Sequence, residues 1–246
     1  TPPGRGLIYV CDPSSALDAG ACYHDIVTTF AARAWRRPLT TTESAEGVAL
    51  WESLRVAEGD EAAVRLVIRA MLESPRFLYR ASIVAPGADD GANLVMLDDF
   101  TLASRLSYFL WSSMPDAELF DAAASGALAS DEGLRAEVQR MLADPKSSAL
   151  REGFASQWLA TRTVASVAPD PNVYPYFDEP LRAAMIGEAE LFFDEYLHNG
   201  RPIGDMLEPD FGYLNDRLAQ HYRLPLPGSE ALVRVPLGPD SRRGLV

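Results

Sequence analysis

Residues 60–73 read DEAAVRLVIRAMLE, and apolar side chains recur in this run every three or four positions. That spacing places one row of side chains on a single face of an α-helix. The row consists of Val64, Val67, Ile68, Met71 and Leu72. Ser74 and Pro75 follow directly, and a proline at this point marks the end of a helix. The run therefore predicts an amphipathic helix that buries this face.

The segments on both sides of this run have the same helical period. Thr40 and Glu43 have the spacing of a capping box, which predicts a helix that begins near residue 40 and ends near Gly59. Another helix is expected before Pro38, and one begins at Asp98 or Asp99. Further helices are predicted at about residues 130–143, 147–161, 178–199 and 212–222. The fold class is therefore mainly α, a multi-helix bundle-like array with short β segments at both termini.

The two termini carry the short apolar runs that predict these β segments. LIYV at residues 7–10 and LVRV at residues 232–235 are of strand type, but each is too short to form a sheet alone. The final residues 242–246, RRGLV, resemble the first half of a strand. We expect the C-terminal strand to be completed by the rest of a longer precursor or by another subunit. The alternative is that the runs at 7–10 and 232–235 pair with each other.

Composition divides the chain into four expected regions. Residues 1–21 are an N-terminal linker or strand, and residues 22–85 form a first helical subdomain. Residues 81–97 are rich in Ala, Gly and Asp and read as a loop between subdomains. Residues 96–223 form a second helical subdomain. Residues 224–246 begin a β-containing C-terminal region that continues beyond the chain.

The charge balance narrows the class of partner. The 246 residues include 22 Lys and Arg against 35 Asp and Glu, a formal net charge of −13. This surplus repels phosphate, so we expect neither nucleic acid nor an anionic lipid surface as a partner. No apolar run approaches the roughly 20 residues of a membrane span, which predicts no transmembrane segment. Lys146 is the only lysine, and the many arginines are expected to pair with carboxylates between helices.

Cys11 and Cys22 are the only cysteines, and they enclose a turn-rich loop. An isolated pair that brackets a loop favours a disulfide, and a disulfide would indicate an oxidising compartment. The alternative is two unrelated buried thiols. The sequence offers no second pair of ligands for a metal, and Cys22-Tyr-His24 is not the attachment motif of a c-type haem.

The predicted helix at 178–199 carries the most informative carboxylates. Glu188 falls inside an apolar arc, and a carboxylate there is expected to be buried and paired with an arginine, for which Arg33 and Arg105 are candidates. Glu195 lies two turns away, about 10.5 Å by the helix rise, at or beyond the upper end of the separation that inverting glycosidases use. The structural pairing is therefore the stronger interpretation of Glu188.

Glu195 and His198 form a Glu-x-x-His pair, which is half of the motif of di-iron carboxylate bundles. They are the weak metal candidates of this sequence. His198 also precedes Asn199 and Gly200, where a helix is expected to end, and a cation is stabilised there by the helix dipole. Helix capping by His198 is the stronger of the two interpretations.

Two blocks of sequence resemble tandem bacterial domains of unknown function. The first domain is resembled by FAARAWRRPLT at 30–40 and LESPRFLYR at 72–80. The second is resembled by LASRLSYFLWSSMPD at 102–116, FASQWL at 154–159 and YLNDRLAQHY at 213–222. Such domains occur in large secreted proteins that are often encoded with, or fused to, cytochrome c modules.

The resemblance implies an extracytoplasmic location, in the periplasm, on the outer-membrane surface or as a secreted protein. Relatives typically carry a cysteine pair where Cys11 and Cys22 stand, which supports the disulfide. They also continue beyond the end of this chain, so the expected partner is the remainder of the same precursor or another subunit. We expect no cofactor in this segment, with haem c bound elsewhere in a complex.

Two classes of function remain open at this point. The first is a non-catalytic helical scaffold or interaction module of a secreted multidomain protein. The second is an extracytoplasmic enzyme, a hydrolase or a cytochrome-linked redox protein, whose site is completed by a C-terminal part beyond this chain. Asp210, Asn215 and His221 are its local candidates, because they cluster in one polar segment, and Glu188 is a further weak catalytic candidate. Asp210 and Asn215 also stand where helix-capping residues belong.

Overall fold

The computed structural model describes residues 5–80, 84–89 and 95–238. It confirms that the chain is mainly α-helical. The described residues form two compact units. The N-terminal unit contains those up to Leu106 together with Met114–Leu134, and the C-terminal unit contains Ser107–Ser113 together with those from Arg135 onward. The domain boundaries expected from composition stay a prediction.

Three long helices build the N-terminal unit. They are α2 (Ala19–Trp35), α3 (Thr41–Glu58) and α4 (Asp60–Glu73), preceded by α1 (Arg5–Ile8) and followed by α5 (Pro75–Leu78). The apolar face predicted for residues 60–73 lies in the core of this unit, where Val64 and Val67 are fully buried. The largest buried side chains of this core are Tyr23, Ile26, Trp51 and Met71.

Local capping chemistry sets the ends of these helices. Thr40 accepts a hydrogen bond from the backbone N–H of Glu43, and the Glu43 carboxylate accepts one from the N–H of Thr40, so the predicted capping box is confirmed. Asp18 caps α2 by accepting a hydrogen bond from the backbone N–H of Ala21. Gly59 separates α3 from α4 at a φ of 80°, a backbone conformation that side chains disfavour. These local signals explain why the sequence predicted the ends of α3 and α4 well.

The predicted N-terminal strand is wrong, because α1 occupies part of residues 7–10. A four-residue strand needs a neighbour, and the C-terminal run that could have paired with it pairs elsewhere. Ile8 and Tyr9 instead pack against the N-terminal core. Arg33 donates a hydrogen bond to the carbonyl oxygen of Leu7 at 2.7 Å, which ties this turn to α2.

The segment expected to be a loop at 81–97 contains two strands. These are β1 (Val84–Asp89) and β2 (Val95–Leu97), which pair antiparallel with Val84 opposite Leu97. The segment is rich in Gly and Asp, so its composition does not predict a strand. The two strands pair through backbone hydrogen bonds, which do not depend on apolar side chains. Asp98 then accepts hydrogen bonds from two N–H groups of the next helix, as predicted.

The remaining helices follow in chain order. They are α6 (Asp99–Trp111), α7 (Ala117–Ala124), α8 (Asp131–Ala143), α9 (Ser148–Leu150), α10 (Ser156–Trp158), α11 (Thr161–Val164), α12 (Glu179–His198) and α13 (Asp216–Tyr222). A π-helical segment, Arg151–Ala155, joins α9 to α10, so helical structure continues from 148 to 158. This continuity agrees with the helix predicted at 147–161.

A small antiparallel sheet packs with α12 in the C-terminal unit. It consists of β3 (Phe211–Leu214) and β4 (Val233–Pro236), with Phe211 opposite Pro236 and Leu214 opposite Val233. The strand predicted at 232–235 is thus confirmed, but its partner is β3 and not residues 7–10. The single helix predicted at 212–222 is wrong in its first turn, which is β3. The strand predicted at 242–246 lies outside the described residues.

The indole ring of Trp111 contacts the end of α8 and the residues after it in the C-terminal unit. The Nε1–H of Trp111 donates a hydrogen bond to the carbonyl oxygen of Met141 at 2.8 Å. The ammonium group of Lys146 lies 3.9 Å from the centroid of the same ring, which is cation–π geometry. The Lys146 side chain, still half exposed, also lies 3.8 Å from a carboxylate oxygen of Asp144. The end of α8 and the residues after it are held together at this point.

Cys11 and Cys22 form a disulfide, as the sequence predicted. Its sequence separation of 11 residues closes a short loop in front of α2. We expect reduction of this bond to lower the free energy of unfolding by about 2–3 kcal/mol, because the reduced unfolded chain gains conformational entropy. Urea unfolding with and without a reducing agent measures the difference. The Cys11→Ser/Cys22→Ser double variant is the control and should not respond to the reductant.

Candidate functional site

Helix α12 carries three of the residues that the sequence singled out. Its start is capped by Asp178, whose carboxylate accepts a hydrogen bond from the N–H of Leu181. Leu181 is fully buried, and this anchors the apolar side of the helix in the C-terminal core. Glu188 and Glu195 therefore project from a helix whose position is set by packing and not by the carboxylates themselves.

Glu188 lies beside a cavity of about 370 Å³, which we call the α12 cavity. The hydroxyl of Tyr222 donates a hydrogen bond to the Glu188 carboxylate at 2.7 Å. His221 lines the same cavity, so two sequence candidates that are 33 positions apart come to one place. The side chain of Glu188 is partly exposed, which differs from the full burial expected, and its predicted pairing with an arginine stays a prediction.

Apolar side chains form most of the cavity wall. They come from α11, α12, β3 and the residues that follow α13 and β4: Val164, Met185, Phe192, Leu214 and Leu224 are examples. This arrangement arises because both β3 and α13 pack on α12. The last two residues of α13, His221 and Tyr222, therefore line the same cavity as Glu188. The cavity could not be predicted from the sequence, since it depends on the packing of β3 and α13 on α12.

Glu195 faces a different set of groups. Its carboxylate accepts hydrogen bonds from the hydroxyl of Tyr213 at 2.8 Å and from the side-chain amide of Asn199 at 3.0 Å. The guanidinium of Arg234 lies 3.5 Å away. Burial, together with the hydrogen bond to Glu195, raises the pKa of Tyr213 to about 12. Glu195 thus fastens β3 and β4 to the end of α12.

His198 ends α12 and contacts other atoms than Glu195 does. Its Nδ1 lies 3.1 Å from the backbone carbonyl oxygen of Asp194, and its Nε2 lies 3.3 Å from the hydroxyl of Ser147. These contacts fit the capping role that the sequence favoured. Among the described residues, no group of three or more His, Cys, Asp or Glu side chains has an arrangement that could hold a metal ion.

Ser147, His198 and Asp194 have the residue types of a catalytic triad, and sequence reasoning missed their proximity. The geometry differs from that of a triad. The carboxylate Oδ1 of Asp194 is 4.0 Å from Nδ1 of His198, which is farther than the backbone oxygen of the same residue. Ser147 is only 4% exposed, so its hydroxyl is not open to a substrate. The contact joins the end of α12 to the turn before α9.

Asp210, Asn215 and His221 share a segment but have separate surroundings. Asn215 caps α13 by accepting a hydrogen bond from the N–H of Leu218 at 2.9 Å. The Asp210 side chain is largely exposed and lies 3.5 Å from the guanidinium of Arg201. His221 alone lines the α12 cavity. The alternative interpretation of Asn215 as a capping residue describes its contacts well.

In the N-terminal unit, the two sequence blocks at 30–40 and 72–80 meet at Glu43. Arg37 binds the Glu43 carboxylate with both terminal nitrogens, at 2.9 and 2.7 Å, and Arg76 approaches it at 3.2 Å. Arg36 is buried and donates to the carbonyl oxygens of Arg76, Phe77 and Tyr79. The hydrogen bond from Arg37 is the main reason that the pKa of Glu43 falls to about 2.

The sequence predicted only the capping box for Glu43 and not this ion pair. The available signal was the pair of arginines directly after α2, since Arg readily forms bidentate pairs with a carboxylate. The α12 site and the Glu43 cluster lie in different units. None of the helices in the described part of the chain has both the length and the apolar character that crossing a membrane requires.

Comparison with known families matches both parts of the chain. Residues 22–81 match PSD5, a protein of unknown function (DUF1595). Residues 97–224, just over half of the chain, match PSD4, a protein of unknown function (DUF1592). The two matches together support the tandem arrangement that the sequence blocks suggested. No curated protein and no solved structure matches the chain. Because the longer of the two matches covers more than half of the chain, the chain belongs to the PSD4 family of proteins of unknown function (DUF1592).

Proposed function

We propose that this chain is a non-catalytic helical scaffold or interaction module of a secreted multidomain bacterial protein. The observation that carries the proposal is a pair of exposed, stacked aromatic rings in the C-terminal unit. Phe154 and Trp158 are 47% and 51% exposed, and their ring centroids are 5.8 Å apart. Contiguous exposed aromatic surface is typical of places where a protein binds another.

The two exposed rings pack on a buried side chain of α12. Both rings contact Phe193 of α12, at 6.3 Å for Phe154 and 6.5 Å for Trp158, and Phe193 itself is buried. Phe154 lies in the π-helical segment, a type of irregularity that occurs frequently at functional sites. A rigid Trp on a packed base is the kind of residue that dominates the binding energy of an interface.

The polar candidates support the same proposal through their contacts. Glu195 fastens the β3–β4 sheet, Asn215 caps α13 and His198 joins the end of α12 to Ser147. Each of these side chains has a structural role in the C-terminal unit.

We further propose an extracytoplasmic location for this module. The Cys11–Cys22 disulfide is of the kind that persists in oxidising compartments. The partner we propose is the remainder of the same precursor or another subunit, with haem c, where present, carried outside this segment. The charge of −13 favours a partner that has an excess of basic residues on its surface.

Site-specific photo-crosslinking tests this proposal. A benzoylphenylalanine residue in place of Trp158, in the natural protein produced in its own cells, should yield one crosslinked product. That product should join position 158 to one defined segment outside these 246 residues. The matched control carries the same probe at Val56, which is 89% exposed on α3 of the N-terminal unit. Equal crosslinking at both positions, or none at 158, would contradict the proposal.

A further inference from the structure

We propose that the α12 cavity binds a small, predominantly apolar molecule that carries a single hydroxyl group, such as a phenol or an aromatic alcohol. The cavity volume of about 370 Å³ falls in the range of small-molecule sites, roughly 300–1,000 Å³. Such sites are mostly apolar and have a few polar groups at one place. This inference concerns a different surface from the Phe154–Trp158 pair and does not depend on the proposed interaction role.

The polar groups of the cavity are concentrated in one corner. The Tyr222 hydroxyl and the Glu188 carboxylate are joined by their 2.7 Å hydrogen bond. The ring of His221, the residue before Tyr222, also lines the cavity, and its centroid lies 5.3 Å from that of the Tyr222 ring. Within the described part of the chain, the ring nitrogens of His221 make no hydrogen bond or ion pair. The described contacts of that ring are with the rings of Tyr176 and Tyr222. A partly buried imidazole can donate one hydrogen bond and accept another.

These groups select the chemistry of the ligand. The Glu188 carboxylate accepts hydrogen bonds but has none to donate, so it offers no partner to an anionic ligand. The apolar wall around Met185, Phe192 and Leu214 offers no partners for a sugar with many hydroxyls, each of which would lose hydrogen bonds to water. A single hydroxyl can donate to Glu188 and accept from His221, so it satisfies the corner. Its apolar body displaces water from the wall.

A cationic ligand is the nearest competitor, since Glu188 would attract an ammonium group. Moving an ammonium from water into an apolar cavity carries a large desolvation cost, whereas a hydroxyl carries a small one. The geometry therefore favours the neutral ligand over the charged one.

Titration calorimetry with four bicyclic probes tests the proposal on the full chain. We expect 2-naphthol to bind with one site per chain, and about tenfold or more tighter than naphthalene, 2-naphthylmethylamine (an ammonium ion at neutral pH) or 2-naphthoate, given the usual strength of a hydrogen bond to a charged group. The comparison with naphthalene isolates the contribution of the hydroxyl to the affinity. Binding of naphthalene or the amine as tight as that of 2-naphthol would overturn the assignment of the ligand class.

Two variants on the same helix locate the site. Ala189 lines the cavity, so Ala189→Phe fills it and should reduce 2-naphthol binding by about tenfold or more. Ala183 lies on the exposed side of α12, and Ala183→Phe should leave the affinity within about twofold of the parent. Equal binding by both variants would overturn the location.

A second measurement keeps the proposal testable if Ala189→Phe does not fold. Backbone amide resonances of the unaltered chain should shift on addition of 2-naphthol at residues of α12 around Glu188 and at β3, with little change elsewhere in the C-terminal unit. The His221→Phe variant should have a smaller preference for 2-naphthol over naphthalene, because it removes one of the two hydrogen bonds to the hydroxyl and keeps the apolar wall. Shifts confined to other segments, or an unchanged preference in His221→Phe, would count against the site.

Discussion

At neutral pH we expect the Glu43→Gln variant to have a free energy of unfolding about 3 kcal/mol lower than that of the parent. Glutamine keeps the shape of the side chain but removes the charge that Arg37 and Arg76 contact. The Glu43 side chain is only 8% exposed, so water cannot replace the lost interaction. Urea unfolding at pH 7, followed by circular dichroism, measures the difference.

The same residue predicts an acid dependence of stability. The pKa of Glu43 is about 2 in the folded chain against an ordinary value of 4.5, so the folded state binds fewer protons than the unfolded state in this interval. The contribution of Glu43 is complete above pH 4.5 and is lost as the pH falls toward 2. The difference between parent and Glu43→Gln should therefore shrink over this window. A difference that stays constant down to pH 2 would show that the carboxylate charge is not its cause.

Glu73→Gln is the matched control for this experiment. Glu73 also pairs with an arginine, Arg69, on the next helix of the same unit, but both side chains are well exposed. Exposed pairs of this type contribute little to stability because water screens them. We expect the control to unfold as the parent does at every pH.

The Phe211→Ala variant should lose about 3–5 kcal/mol of unfolding free energy, the usual cost of removing a buried phenylalanine. Phe211 is 1% exposed at the start of β3, and its ring lies 5.5 Å from that of Phe192. The guanidinium carbons of Arg201 and Arg234 lie 4.7 and 4.2 Å from the ring centroid. Removal of the ring leaves a cavity and takes a cation–π partner from both arginines.

One further variant separates the contribution of buried volume from that of the aromatic face, and another serves as a control. Phe211→Leu keeps most of the buried volume but removes the aromatic face, so its loss should be smaller than that of Phe211→Ala and still measurable. Tyr174→Ala removes an exposed ring of the same unit and should unfold close to the parent. Thermal and urea unfolding of the three variants give the comparison. A Phe211→Ala variant as stable as Tyr174→Ala would show that the ring is not part of the core.

The parts of the fold that depend on local patterns were predictable from the sequence. The period of residues 60–73, the capping box at Thr40 and Glu43, and the break at Pro75 act within a few residues, and α3 and α4 begin and end as expected. The elements that were wrong depend on distant partners. β3 becomes a strand because it pairs with β4 about 20 residues later, and residues 7–10 have no such neighbour among the described strands.

The candidate site was predictable only in pieces, for the same physical reason. Glu188 and His221 were each singled out from sequence, but their common cavity exists only because β3 and α13 pack on α12. Arg37 and Glu43 are six positions apart, yet their pairing depends on the turn between α2 and α3. Distances between side chains follow from packing, which a periodic pattern does not specify.

The position of Lys146 makes the C-terminal unit responsive to a lysine-specific protease. This protease has one cleavage point in the whole chain, after Lys146, and the ammonium group there rests on the ring of Trp111. The following residue, Ser147, is buried, so the peptide bond can enter a protease only after the local structure opens. The rate of appearance of two fragments, 1–146 and 147–246, therefore measures the free energy of that opening. A chain with lysines at many places could not report on a single corner in this way.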